Sequence, residues 1–342
     1  MYARMRAAID LAPATLQSLH FIDFGFDCPR FIVTVDTEEE FDWTGPFTRD
    51  CHGTTHVGAI DRFQQLCDTH GVRPAYLIDY PIANDVAAVE LLGRYVSDGR
   101  ADVGVQLHPW VSPPFTEKLC VHNSYACNLP PELERAKLTA LHNLITDKFG
   151  NKPQIYRAGR YGASHQSREI LRDLGIVIDT SVRSLFDYTE QGGPNYASCP
   201  QEPYWITEGV LMELPVTSVF SGAFRSAGTT IFNHAFRSST SRGLLARSGL
   251  LERIALTPEG IPAEKAIVAI DIALNQKTPI LNFSFHSPSL AVGHTPYVRT
   301  DEELERFYDW WVRIFAHLKA RGVKPTHVNE IVCAAGIILP KK

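Results

Sequence analysis

Short apolar runs rich in β-branched residues alternate with helix-patterned segments through most of this 342-residue chain, and that alternation restricts the fold more than any other feature. Strand–helix–strand order calls for a parallel sheet, because parallel neighbours need a long crossover to join them. The strands expected are Phe31–Asp36 (FIVTVD), Arg73–Tyr80, Ala101–His108, Gln154–Ala158, Ile176–Thr180 and Ile280–His286. Helical patterns cover Ile60–His70, Val86–Ser97, Pro131–Phe149, His165–Leu174 and Asp301–Arg321. Gly71, Gly150, Gly175 and Gly322 stand where helix stops belong.

The end of the first strand separates the possible parallel folds. A dinucleotide-binding open sheet needs a glycine-rich turn there, whereas this strand runs into Asp36-Thr37-Glu38-Glu39-Glu40, which would repel a pyrophosphate. A barrel accounts better for the polar residues at the C-terminal ends of several strands, where barrel sites assemble. The chain reads as an N-terminal arm over 1–28 and a single (β/α) barrel domain over 29–342, with an insertion at about 218–262 where the alternation breaks.

Composition removes several function classes. A formal charge of −5 offers no basic footprint for nucleic acid. No apolar run reaches the roughly 18 residues of a membrane span. The opening stretch is broken by Asp10, Pro13 and Gln17, so it reads as an arm and not a signal peptide. Seven scattered cysteines without a CxxC pair read as reduced thiols of a cytoplasmic protein. Nothing in the sequence sets the oligomeric state.

The expected strand ends carry Asp36 and Glu38, Gln106 and His108, Arg157, Asp179, and His286. Carboxylates and imidazoles converging on one barrel mouth are what a metal-dependent hydrolase needs: about three N/O ligands with an open position, a separate base for water, and an acid for the leaving group. Each residue also has an ordinary structural alternative. A strand-end carboxylate can cap a helix, His-Pro-Trp can be loop packing, Arg157 and Asp179 can form an ion pair, and His286 can be a satisfied core histidine.

The blocks VDTEEEFDW (35–43), GVQLHPWVSPPF (104–115), YRAGRYG (156–162), FSFHSPSL (283–290) and GHTPYV (293–298) together resemble the signature blocks of the polysaccharide deacetylase superfamily. They are most similar to its cytoplasmic branch linked to surface polysaccharide synthesis, and they follow the family's order from about Phe31 to Val328. The resemblance implies a distorted (β/α)7 barrel, a divalent metal, most often Zn²⁺, and water attack on the acetamide of an N-acetylated sugar or polysaccharide intermediate. It also implies roles. Asp36 resembles the catalytic base, Glu38 and His108 the metal ligands, Arg157 the arginine that orients the base, and His286 the acid. Asp179 matches the acid that steadies the histidine. Tyr161 lies where a backbone N–H faces the oxyanion, and Trp110 is an aromatic candidate for the sugar. Gln106 stands where the family pattern has a histidine, and an amide oxygen is a weaker zinc ligand than imidazole. Two other readings stand beside a deacetylase: a catalytically silent carbohydrate-binding barrel, and a hydrolase of a non-sugar C–N bond.

Overall fold

The run FIVTVDT forms β1 (Arg30–Thr37), buried along all but its first residue, as expected for a strand covered on both faces. The computed structural model describes residues 19–338, apart from 51, 235–242 and 244. The next strands are β2 (Ala75–Ile78), β3 (Asp102–Leu107), β4 (Ile155–Ala158) and β5 (Ile178–Asp179). They are followed by β6 (Tyr204–Thr207), β7 (Leu211–Glu213), β8 (Ser218–Ser221), β9 (Glu252–Ala255), β10 (Ile280–His286) and β11 (Lys324–Pro325). Parallel pairing runs in the order β10, β1, β2, β3, β4, β5, β7, with β6 antiparallel on the outer edge of β7.

The two ends of that row meet without a regular ladder. Thr217, just beyond β7, donates its N–H to Asn282 O on β10 at 3.2 Å. Asn282 N–H returns a bond to Thr217 Oγ1 at 2.9 Å. The result is the distorted (β/α)7 barrel expected from the sequence. The antiparallel pair β8–β9 lies against this seam, with Leu256 N–H donating to Thr217 O.

Side chains alternate along each strand, so every strand divides between two cores. Ile32, Ala75, Leu77, Ile155, Ile178, Met212 and Ile280 point into the barrel. Val33, Val35, Tyr76, Val105, Tyr156, Phe283 and Phe285 point outward under the helices. The helix Asp301–Ala320 starts at Thr300, whose hydroxyl accepts from Glu303 N–H, and buries Trp310, Trp311, Ile314 and Phe315 against the outer face of β1 and β10. Ile22 and Phe24, with Val328, Ile331 and Val332, close the N-terminal end of the barrel.

Local signals set the helix ends closely. Val86–Ser97, Pro131–Phe149 and His165–Leu174 begin and end where the sequence places them, with Gly150 and Gly175 left-handed at φ 71° and 79°. The expected strand Ile176–Thr180 shortens to two residues, Ile178–Asp179. The helix Ala263–Asn275 had no expectation, because its apolar residues run almost all round and mask the period. Of the expected arm, residues 1–18 lie outside the described residues. Residues 20–22 bond along β6, where Trp205 N–H donates to His20 O and Ile22 N–H to Pro203 O. Part of the expected insertion, 235–242 and 244, also lies outside them. Among the described residues no helix is long and apolar enough to cross a membrane.

Candidate active site

The inward positions at the C-terminal ends of β1, β2, β3, β4 and β10 are Asp36, Asp79, Gln106 and His108, Arg157, and His286. The barrel brings these together. Below them lies a ring of smaller polar groups, Thr34, Thr180 and Asn282, where Asn282 Nδ2 donates to Thr180 Oγ1 at 2.8 Å and Thr34 Oγ1 donates to Asn282 Oδ1 at 3.1 Å.

Arg157 rises from this ring with a side chain only 1% exposed. Its Nε donates to Thr180 O at 3.1 Å, one terminal nitrogen donates to Thr34 Oγ1 at 2.7 Å, and the other donates to Asp36 Oδ1. Three fixed acceptors use the planar fork of the guanidinium, so both Arg157 and Asp36 have one orientation. The free oxygen of Asp36 faces His286, with Nε2 to Oδ2 at 3.8 Å. The other ring nitrogen, Nδ1, sits 2.7 Å from Glu259 Oε2, and His286 N–H donates to Glu259 Oε1 at 3.1 Å. Trp43 packs edge-on against the imidazole with ring centres 4.9 Å apart.

Burial opposes protonation of His286, but the charges of Glu259, Glu38 and Asp36 and the hydrogen bond to Glu259 outweigh it, raising its pKa to about 10. His286 therefore carries its proton through the neutral range, as a general acid must. Removing the charge in Glu259→Gln should lower that pKa towards the ordinary histidine value and cut turnover about tenfold or more. The alkaline limb of the pH–rate profile reads the first effect. A limb that does not move to lower pH would show that Glu259 does not govern this proton.

On the opposite side of Asp36 sits His108. Its Nδ1 is 2.7 Å from Glu39 Oε2, and its Nε2 is 3.4 Å from Glu38 Oε2. A histidine that donates Nδ1–H to a carboxylate presents the Nε2 lone pair, which is the arrangement metal-ligating histidines adopt. Trp110 stacks on His108 with ring centres 4.2 Å apart and donates Nε1–H to Glu39 Oε1 at 2.6 Å. Gly159 permits this packing, because a Cβ there would overlap the His108 ring.

Two sets of atoms around His108 could accept a cation. Glu39, Asp79 and His108 offer ligand atoms within 4.8 Å of one another. This set is already satisfied by protein groups: Glu39 by Trp110 and His108, and Asp79 by the N–H groups of Glu39 and Ile82. Burial raises the pKa of both carboxyls, and their mutual repulsion raises Asp79 further. The second set is Glu38, Gln106 and His108 Nε2. Gln106 Nε2 donates to Glu38 Oε2 at 3.0 Å, while Glu38 Oε1 and Gln106 Oε1 are buried without hydrogen-bond partners. Two orphaned oxygens beside an imidazole lone pair fit a divalent cation, and they are the ligands expected from the sequence. Burial pushes Glu38 up to about 8.

Two expected roles are corrected. Asp179 does not hold His286. It lies on the outward parity of β5, where its carboxylate accepts from Ser181 N–H and approaches Arg168 at 3.9 Å. Nor does it pair with Arg157 within ion-pair distance, the alternative open at the sequence level. Glu259, from the loop after β9, takes the histidine-steadying place instead. Trp110 is not a sugar platform: it is 2% exposed, and both its ring and its N–H are used inside the protein. Tyr161 follows β4 in a turn where Arg160 and Tyr161 are both left-handed, at φ 54° and 59°. Such a conformation costs a non-glycine residue on the order of 1 kcal/mol or more. The turn is held by Tyr196 Oη donating to Tyr161 O and by Arg160 bonding Ser124 and Gln191.

Asp79 and Glu39 were missed from sequence. Asp79 could have been found, since 75, 77 and 79 share the inward parity of β2. Glu39 had no such signal, and Glu259 sits in an irregular loop with none either.

No protein-family model and no curated protein matches the sequence. Solved structures do match along most of it. A protein assigned as a polysaccharide deacetylase from Mycobacterium smegmatis aligns over 94% of this chain and 98% of its own, at 16% identity and a TM-score of 0.46. A family 4 acetyl xylan esterase from Clostridium thermocellum, solved with a cobalt ion, aligns over 90% of this chain and 93% of its own, at 12% identity and a TM-score of 0.44. A CE4 family pseudoenzyme from Bacillus anthracis aligns over 90% of this chain and 66% of its own, at 10% identity and a TM-score of 0.40. At this degree of likeness, what the site can do is read from its own side chains.

Proposed function

We propose that this chain is a metal-dependent hydrolase that removes the acetyl group from an N-acetylated sugar or polysaccharide intermediate. One observation carries the reading: a base fixed by an arginine, Asp36–Arg157, faces an acid fixed by a carboxylate, His286–Glu259, across 3.8 Å beside a set of orphaned ligand atoms. A buried binding site for sugar has no use for an aligned base and acid together.

Glu38, Gln106 Oε1 and His108 Nε2 would hold the divalent cation, zinc in the first instance, which when bound supplies Lewis-acid polarisation of the acetamide carbonyl and of water. The remaining steps belong to the chain's own residues. Asp36 accepts the proton of the attacking water, aimed by Arg157. Tyr161, in its left-handed turn, turns its peptide N–H towards the developing oxyanion. His286 protonates the departing amine, with Glu259 holding the ring by its far nitrogen. The same reading takes 29–342 as one domain and places it, with its reduced thiols, in the cytoplasm.

The test is acetate release from N-acetylglucosamine oligosaccharides by chelator-treated protein before and after zinc is restored, with zinc affinity measured alongside. Gln106→His should tighten zinc about tenfold or more, because imidazole suits zinc better than an amide oxygen. If neither protein binds zinc, and no divalent metal elicits acetate release, the deacetylase reading gives way to a silent barrel.

A further inference from the structure

A carboxylate, an imidazole and a hydroxyl lie in line beside the site and take no part in the steps above. The turn Thr55–Ala59 carries His56, whose side chain is fully enclosed. Its Nδ1 is 3.0 Å from Glu40 Oε1, and its Nε2 is 2.8 Å from Ser287 Oγ. Glu40 is itself fixed. Its Oε1 accepts from His56 N–H at 2.7 Å and from Thr55 Oγ1 at 2.8 Å, and its Oε2 is 3.5 Å from His294 Nδ1. Gly53 makes room for this carboxylate, since a Cβ there would lie 2.4 Å from Oε2. At the other end of the line, Ser287 follows His286 directly and opens the turn Ser287–Leu290. Its Oγ accepts from Glu38 N–H at 3.4 Å.

The order hydroxyl, imidazole, carboxylate is that of a serine nucleophile with its base. Ser287 is fully buried, however, which leaves no surface for a substrate. What its oxygen does reach is the backbone of Glu38. Glu40 Oε1 acts as an acceptor for its other neighbours, so His56 Nδ1 is the nitrogen that carries the proton. Burial lowers the pKa of His56 and outweighs the pull of Glu40, so the ring is neutral and Nε2 is an acceptor. The Ser287 hydroxyl then donates to Nε2 and keeps its lone pairs for Glu38 N–H. That backbone matters because the Glu38 carboxylate is only half tied: Oε2 accepts from Gln106 Nε2 at 3.0 Å, and Oε1 is buried without a hydrogen-bond partner. The aim of Oε1 therefore follows from where the main chain stands.

We infer that His56 is a positioning residue: through Ser287 it fixes the backbone of Glu38 and so presents the Glu38 carboxylate to the divalent cation. The inference rests on the deacetylase reading, from which it takes Glu38 as a ligand of that cation. It adds to the site a residue that lies outside every sequence block pointing to the barrel mouth.

The experiment measures the zinc affinity of the full chain at one neutral pH, by competition against a chromophoric chelator. His56→Ala and Ser287→Ala should each bind zinc about tenfold or more weakly than wild type. Glutamine places an amide oxygen where Nε2 stood and can accept from Ser287, so His56→Gln should stay within about threefold of wild type. Asparagine reaches only as far as Nδ1, keeping Glu40 and losing Ser287, so His56→Asn should fall with His56→Ala. The double variant of His56→Ala and Ser287→Ala should bind no more weakly than the worse single one, because both break the same line. Circular dichroism and thermal melts confirm that the variants are folded, and Ser287→Ala keeps the comparison open should His56→Ala not fold. A merely structural His56 would move the melting temperature without separating glutamine from asparagine in zinc affinity. Wild-type affinity in His56→Ala and Ser287→Ala, or equal affinity in His56→Gln and His56→Asn, overturns the positioning role and leaves the deacetylase reading standing. A wild type that holds no zinc removes both.

Discussion

Asp36→Asn and His286→Ala should each lower the turnover of acetate release about a hundredfold or more, the size of a general acid or base contribution. Asp36→Asn keeps the shape of the side chain and the contact with Arg157 but removes the basic oxygen that faces His286. His286→Ala removes the proton carried to the leaving amine and leaves Glu259 with Ser289, which donates to its Oε1 at 2.6 Å. Because both residues act on the same bond from opposite sides, the double variant should lose little beyond the worse single one. Near wild-type turnover in both single variants, with chemistry shown to limit the rate, would remove the proposed mechanism. Additive losses in the double variant would show that the two residues do not act as a unit.

Arg157→Met should be damaging twice over, in stability and in turnover. The guanidinium supplies donors to Asp36, Thr34 Oγ1 and Thr180 O in a layer with almost no solvent. Methionine fills much of the volume but leaves a buried carboxylate without its counter-ion, which costs about 3–5 kcal/mol when one partner of such a pair is removed. Arg157→Lys keeps the charge but cannot reach three acceptors at once, so it should lie between wild type and Arg157→Met in stability while turnover remains strongly reduced. Urea unfolding followed by fluorescence measures the first quantity, and acetate release the second. A variant Arg157→Met as stable as wild type would mean that Asp36 does not depend on the arginine.

The two sides of the mouth were unequally legible from sequence. Asp36, Arg157 and His286 sit on strands long or patterned enough to declare themselves: FIVTVD and ILNFSFH are paired residue for residue, from Arg30 with Ile280 to Asp36 with His286. In such strands parity follows from alternation, so Asp36 and His286 fall on the inner face together. The strand β5 is only two residues long, and a slip of one residue reverses its faces. That is why Asp179 reads equally well as an inner acid, although it lies outside with Arg168. His108 illustrates a different limit. Its place at the end of β3 is local information, but its ring orientation is set by Glu39, 69 positions away, and by the stacking of Trp110.

By itself the sequence determined the alternation of strands and helices, the helix stops at Gly150 and Gly175, and a barrel mouth holding Asp36, Gln106, His108, Arg157 and His286. Those properties arise from patterns within a few residues, where hydrophobic period and backbone preference act. Only the tertiary structure decided that Glu259 and not Asp179 contacts His286, and that Trp110 is buried against His108. Each of these depends on side chains meeting across the closed barrel from distant loops, and such meetings leave no periodic trace in the chain that makes them.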